Sequence, residues 1–243
     1  MLNPYARAYK ENPTPDEVAR RVAAGVSPNY RGDYTLVRNR PANIPQHENC
    51  SVFITGLPPN ITTHQLLAAI RDTGRVWASV VYPPTWEYGP SAAKVTFFTA
   101  EAAQTFLRRS NSAGQPGFIV GNRRARVCPD RNRVAAPRAP ADHTRVLSIA
   151  GPKELVNTAN LSALFSAAFV YETDDVIALV TGNVINVLEW HFGSYRCQAE
   201  WAWRRLRSDA TFRQAGVRVK FERDPCDRSV PYPLTSTRNY YPP

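Results

Sequence analysis

Apolar and polar residues alternate through Ser51–Leu57, SVFITGL, and the alternation stops at Pro58-Pro59-Asn60. A period of two predicts a half-buried strand, and the Pro-Pro-Asn run predicts a turn. Thr62 then heads a segment in which Leu66, Leu67 and Ile70 recur at helical spacing as far as Gly74. Strand patterns follow at 75–82 and 92–98, a helical pattern at 100–109, and a hairpin-like approach with a fourth strand at 118–128. The predicted order is βαββαβ.

The same order returns beyond Val-Ala-Ala-Pro-Arg-Ala-Pro (134–140), a proline-marked linker. A strand is predicted at 145–150 and a helix at 160–169. Strands at 176–181 and 184–192 are joined through Gly182-Asn183, a dipeptide suited to a tight turn. A helix at 194–207 and a strand at 217–222 complete the second unit. The expected division is an extension at 1–49, a first domain at 50–133, a linker at 134–142, a second domain at 143–228 and a mobile Pro- and Tyr-rich tail at 229–243. In the extension, Thr14-Pro15-Asp16-Glu17 combines an N-cap, a proline at the first helical position and a capping-box glutamate, with Gly25 as the stop. Residues 26–49 are expected to be extended chain or disorder. The fold class is therefore α+β, with two four-stranded antiparallel sheets, each carrying two helices on one face and leaving the other open.

Charge adds a partner class. The chain carries 30 Lys and Arg against 20 Asp and Glu, a net +10, which suits a polyanion. Ten basic and four acidic residues between Ser51 and Val134 put +6 of that on the first domain, whereas eleven basic and ten acidic residues nearly cancel in the second. No apolar run approaches the roughly 18 residues of a membrane span, and residues 1–12 have no apolar signal core. An intracellular protein, nuclear or cytoplasmic and not secreted, is expected, with no membrane partner and no small-molecule substrate. The four cysteines and four histidines lack metal-ligand spacing, so no metal and no cofactor is expected. In a reducing compartment the four cysteines are expected as free thiols. No phosphate-cradling glycine loop or nucleophile–base pair stands out, so no enzyme is expected.

Val52-Phe53-Ile54-Thr55-Gly56-Leu57 on the first strand, within this order of elements, resembles the hexamer of the RNA recognition motif (RRM) family, in tandem ferredoxin-like copies. SPNYRGDY, ENCSVFITGLP and FGSYRCQAE also look like a group of tandem RRM proteins of filamentous fungi, a likeness that brings a fold and little function. The resemblance implies that aromatic rings on the first and third strands stack bases of single-stranded RNA. It also implies that the first and fourth strands are antiparallel neighbours, which brings Cys50 near Cys128 and allows a disulfide, with free thiols the stronger expectation. Phe53 alternates with the inward Val52 and Ile54 and is expected on the open face. The third-strand octamer, 90–97, keeps inward Ala93, Val95 and Phe97 but has Ala92 and Lys94 where the family places rings. Two absent stacks cost about 2–6 kcal/mol, enough to turn a micromolar binder millimolar. Two sets of residues are candidates to offset that loss. One is the basic group Lys94, Arg124, Arg126, Arg131 and Arg133; the other is the loop aromatics Tyr82, Trp86 and Tyr88.

The second copy departs further. Its hexamer equivalent has Ser148 at the ring position, and its octamer, 185–192, turns Leu188, Trp190 and Phe192 inward and Val187 and Glu189 outward. In the helix from Ser194, Trp201 follows Cys197 by four residues and is expected in the core stripe, with Arg204, Arg205 and Arg207 at a solvated end. The leading expectation is an RNA-binding protein that uses the first domain's basic face, the second serving packing or a protein partner. The alternative is a protein–protein adaptor on RRM-like domains with little or no RNA binding.

Overall fold

The computed structural model describes residues 14–26, 28, 33–36, 39–84, 89–112, 114 and 117–227. Its first unit runs β1 (Ser51–Leu57), α2 (Thr63–Ala69), β2 (Val76–Tyr82), β3 (Ser91–Phe97), α3 (Ala100–Asn111), β4 (Phe118–Val120) and β5 (Arg123–Pro129), preceded by α1 (Pro15–Ala23). The strands form one antiparallel sheet in the order β2-β3-β1-β5-β4. The second unit runs β6 (Val146–Pro152), α4 (Thr158–Ser166), β7 (Thr173–Thr181), β8 (Ile185–Phe192), α5 (Glu200–Ser208), α6 (Ala210–Gln214) and β9 (Arg218–Phe221), with sheet order β7-β8-β6-β9. Each unit keeps the predicted α+β layout of helices on one sheet face; the second sheet has the four strands expected, whereas the first has five, because Phe118–Val120 pairs with β5 as a strand of its own.

Local chemistry fixes the first unit's corners. Thr62 and Gln65 close a reciprocal capping box at the start of α2, and Thr99 caps α3. Leu66, Leu67 and Ile70 are fully buried with Val52, Ile54, Leu57, Ala93, Val95 and Phe97. Gly56, at φ +80°, takes the bulge that shifts register between Thr55 and Leu57. A side chain at Gly74 would meet the Ala102 Cβ at 2.5 Å, so glycine is what lets the α2–β2 connection touch α3.

Residues expected to be extended chain or disorder are partly ordered against this unit. Ala42 donates to the Arg133 carbonyl and Cys50 to the Val134 carbonyl. The Asn49 side chain accepts from the Ser51 and Val134 amides and donates to the Asp130 carbonyl. The presumed tail, 229–243, lies outside the described residues. All four cysteines are free thiols. Cys128 is opposite Phe53, so Cys50 lies three strand residues, about 10 Å, further along, beyond the ~7 Å that a disulfide spans.

The predicted helix from Ser194 is broken. A π-turn at Tyr195–Ala199 contains Arg196 and Cys197 in non-helical conformations, Cys197 at φ +59°, and α5 begins only at Glu200. The break rotates the helix face. Ala199, Ala202 and Leu206 are buried, whereas Trp201 is 51% exposed and not in the core stripe.

The two units meet through buried polar contacts. Arg145, just before β6, is fully buried; its Nε is 3.0 Å from Asp224 Oδ1 and its Nη1 2.6 Å from Asp174 Oδ2, and it also donates to the Phe192 carbonyl. Asp224 accepts from the Val76 amide of β2, and Asp174 pairs with His64 of α2. Ser79 donates its hydroxyl to the Gly193 carbonyl and its amide to the Ser194 hydroxyl. Cys226 packs in the first unit's core and its carbonyl accepts from Thr73 and Gly74. The end of the second unit thus returns beneath the first.

Removing Arg145 leaves Asp174 and Asp224 buried without their cation, so Arg145→Met is expected to lose about 3–5 kcal/mol in denaturant unfolding. A second expectation concerns His143, which stacks on Phe221 at 4.0 Å and shares a 2.8 Å hydrogen bond with Tyr195. Burial holds its pKa below the ordinary 6.5, against opposing pulls from Asp142 and Glu200. A folded-state pKa that is depressed contributes stability above the unfolded value and loses it as pH falls. Between about pH 7.5 and about pH 5.5 the stability of His143→Phe should therefore rise relative to wild type, by thermal unfolding at each pH.

Candidate nucleic-acid interface

Pairing register sets out the face of the first sheet opposite the helices. Phe53 on β1 lies between Lys94 on β3 and Cys128 on β5, and Thr55 lies between Ala92 and Arg126. On β2, Val80 is opposite Lys94 and Tyr82 opposite Ala92. The Phe53 and Tyr82 ring centroids are 6.0 Å apart with planes at 42°. They approach across β3, where Ala92 offers only a methyl group. The position that lacks a ring on β3 is thus what allows a ring on β2 to reach Phe53. Tyr82 ends β2 rather than belonging to the loop after it, and the alternation Ala78, Val80, Tyr82 is the signal that marks its face. Trp86 and Tyr88 lie outside the described residues.

The basic candidates separate. Arg124 and Arg126 are exposed beside buried Ala125 and Val127, and Arg131 is exposed just past the strand. The Arg124 side chain lies across Gly117, where a Cβ would come within 2.6 Å of its Nε. Lys94 is committed elsewhere: its Nζ is 2.6 Å from Asp130 Oδ2, and Asp130 also accepts from the Ser51 hydroxyl. Arg133 donates to the Ile44 carbonyl and holds the extension. The face therefore offers two neighbouring rings with two exposed arginines, Arg124 and Arg126, along one side, and a lysine already neutralised.

The second sheet's corresponding face is closed at its centre. Ser148, Glu189 and His191 are buried there, Glu189 at 1% exposure, with Glu189 Oε1 2.7 Å from His191 Nε2. Leu188, Trp190 and Phe192 point into the aromatic core as expected, packed with Phe165. Val187 and Glu189 take the opposite face, yet both are buried. Asp174, at the head of β7, serves Arg145 and His64. No group of three or more His, Cys, Asp and Glu suited to a metal occurs among the described residues, and none of their helices is long and apolar enough to cross a membrane.

The fold is a tandem of two ferredoxin-like α+β units, each with helices on one face of an antiparallel sheet. No family model matches the chain, and no curated protein matches it. Solved structures similar to it include RNA recognition domains 1 and 2 of Sex-lethal from Drosophila melanogaster, at 18% identity over 72% of this chain and 100% of that one, with a TM-score of 0.26. The first two RRM domains of the yeast poly(U)-binding protein Pub1 match at 13% identity, over 70% of this chain and 98% of that one, TM-score 0.29. RRM domains 1 and 2 of Prp24 from S. cerevisiae match at 12% identity, over 72% and 97%, TM-score 0.29.

Thiol chemistry tests the placement of the cysteines. Burial pushes the Cys50 thiol up to about 11 and raises that of Cys226 further, whereas Cys197 is exposed and Cys128 half-buried beside Phe53. A maleimide at neutral pH should label Cys197 first, then Cys128, and reach Cys50 and Cys226 only on unfolding, as read by peptide mapping.

Proposed function

We propose that this protein binds single-stranded RNA across the open face of its first sheet, and that the second unit packs against the first and is available to a protein partner. The observation that carries this reading is the Phe53–Tyr82 ring pair, flanked by the exposed Arg124 and Arg126. Rings stack on any base, whereas guanidinium groups neutralise backbone phosphates. Tyr82 supplies one of the two stacks absent from β3, so the deficit falls to about 1–3 kcal/mol. Modest affinity follows, and its electrostatic share falls to the exposed arginines, because Lys94 adds no net charge. The closed face of the second sheet, with Ser148, Glu189 and His191 buried at its centre, supports packing rather than base stacking there.

The test is titration of labelled single-stranded RNA pools at several salt concentrations. Affinity should fall by about 0.7 log units per phosphate contact per decade of salt. Phe53→Ala and Tyr82→Ala should each weaken binding by about 1–3 kcal/mol, and Arg124→Glu with Arg126→Glu should flatten the salt slope. Absence of binding at low salt would contradict this reading and favour the adaptor. Binding lost in the arginine variants yet indifferent to both ring changes would remove base stacking from it.

A further inference from the structure

The edges of the two sheets are not protected alike. The outer edge of β2 is met by Gly193 and Ser194 through Ser79. The β4 edge is three residues long, and the four-residue β9 edge carries exposed Arg218 and Lys220. Short strands, covering loops and edge cations are the usual ways a sheet avoids pairing with another chain. The nine-residue β7 has neither a short length nor an edge cation, its guards being the register shifts at Thr173/Asp175 and Ala178/Val180, and its only strand partner among the described residues is β8. Residues 176–185, VIALVTGNVI, carry no charge and no proline and are rich in β-branched side chains. Of the nine exposed large hydrophobic residues among those described, four gather on this hairpin: Leu179, Val180, Val184 and Ile185. Such clustering marks a binding surface rather than scattered surface apolarity.

We propose that β7 is a self-association edge, on which two copies of this chain pair β7 with β7, antiparallel, about a two-fold axis near Ala178. Unpaired strand backbone selects an extended strand as its occupant. Charge then favours a copy of the same strand. Its only charges, Asp174 and Asp175, are at its beginning, where Asp174 is already paired with Arg145 and His64; antiparallel pairing then sets Asp175 against the partner's turn and never against the partner's aspartates. Lys153, whose amide donates to the Val184 carbonyl, adds a cation near that turn. The bulge between Ala178 and Val180 interrupts the register there and turns Leu179 and Val180 outward together. A strand of this length spans about 30 Å, so the contact is smaller than the roughly 1,200–2,000 Å² of stable complexes. The dimer is accordingly concentration-dependent, with a Kd on the order of micromolar to tens of micromolar.

Sedimentation velocity on nucleic-acid-free protein tests this, from about 1 to about 200 µM. Wild type should pass from monomer to dimer, and added salt should preserve or strengthen the dimer by screening the repulsion between two +10 chains. RNA-bridged association has the opposite salt dependence. Leu179→Lys and Leu179→Asp should each raise the dimer Kd by at least about 10-fold, because like charges then sit on one face, diagonally across the axis. Mixing the two variants should restore dimers, and an unchanged circular dichroism spectrum shows that both fold. A wild type that stays monomeric throughout overturns the proposal and leaves the edge to an extended segment of another protein. A dimer indifferent to either charge, or a mixture that fails to associate, overturns it equally.

Discussion

A single buried guanidinium holds the two halves of this molecule in register. Arg145 stands where β6 begins, yet its partners come from the head of β7, the end of β8 and the segment after β9. Two of those partners also bind the first unit, Asp224 through the Val76 amide and Asp174 through His64. A buried cation with two carboxylates gains little net stability over apolar packing, but it permits few alternative arrangements. Arg145 thus organises the carboxylates that join the units, alongside the Ser79 and Cys226 contacts, although strand periodicity marks it as nothing special.

That constraint decides which face is available. Docking brings α2 and β2 against the head of β7 and the Gly193–Ser194 corner, and leaves the helix-free face of the first sheet with its rings and arginines. On that face the geometry has its own economy. Ala92 removes a ring from β3 and at the same time opens the path by which Tyr82 reaches Phe53. Lys94 is held by Asp130 in the network that anchors the extension, so positive charge is left to the neighbouring strand.

Much of this was legible in the chain. Period-two and helical patterns located the strands and helices because one face of each is buried, and Phe53 followed from the same alternation. Tyr82 was within reach by alternation along β2, although its contact with Phe53 depends on a pairing register that one strand does not state. The partners of Arg145, Asp174 and Asp224 were not legible, since contacts between distant segments leave no local period. Cys197 and Trp201 misled for a physical reason: a four-residue spacing imitates a helix face even where a left-handed residue interrupts the helix. Burial of Glu189 and His191 was hidden likewise, because alternation assigns a face but not what lies over it.

The central claim is that RNA lies across the first sheet on Phe53 and Tyr82. Ultraviolet crosslinking of bound single-stranded RNA, followed by mass-spectrometric mapping of nucleotide adducts, tests it most directly. The account predicts adducts on the β1 and β2 peptides that carry Phe53 and Tyr82. Adducts confined to the second unit would contradict it.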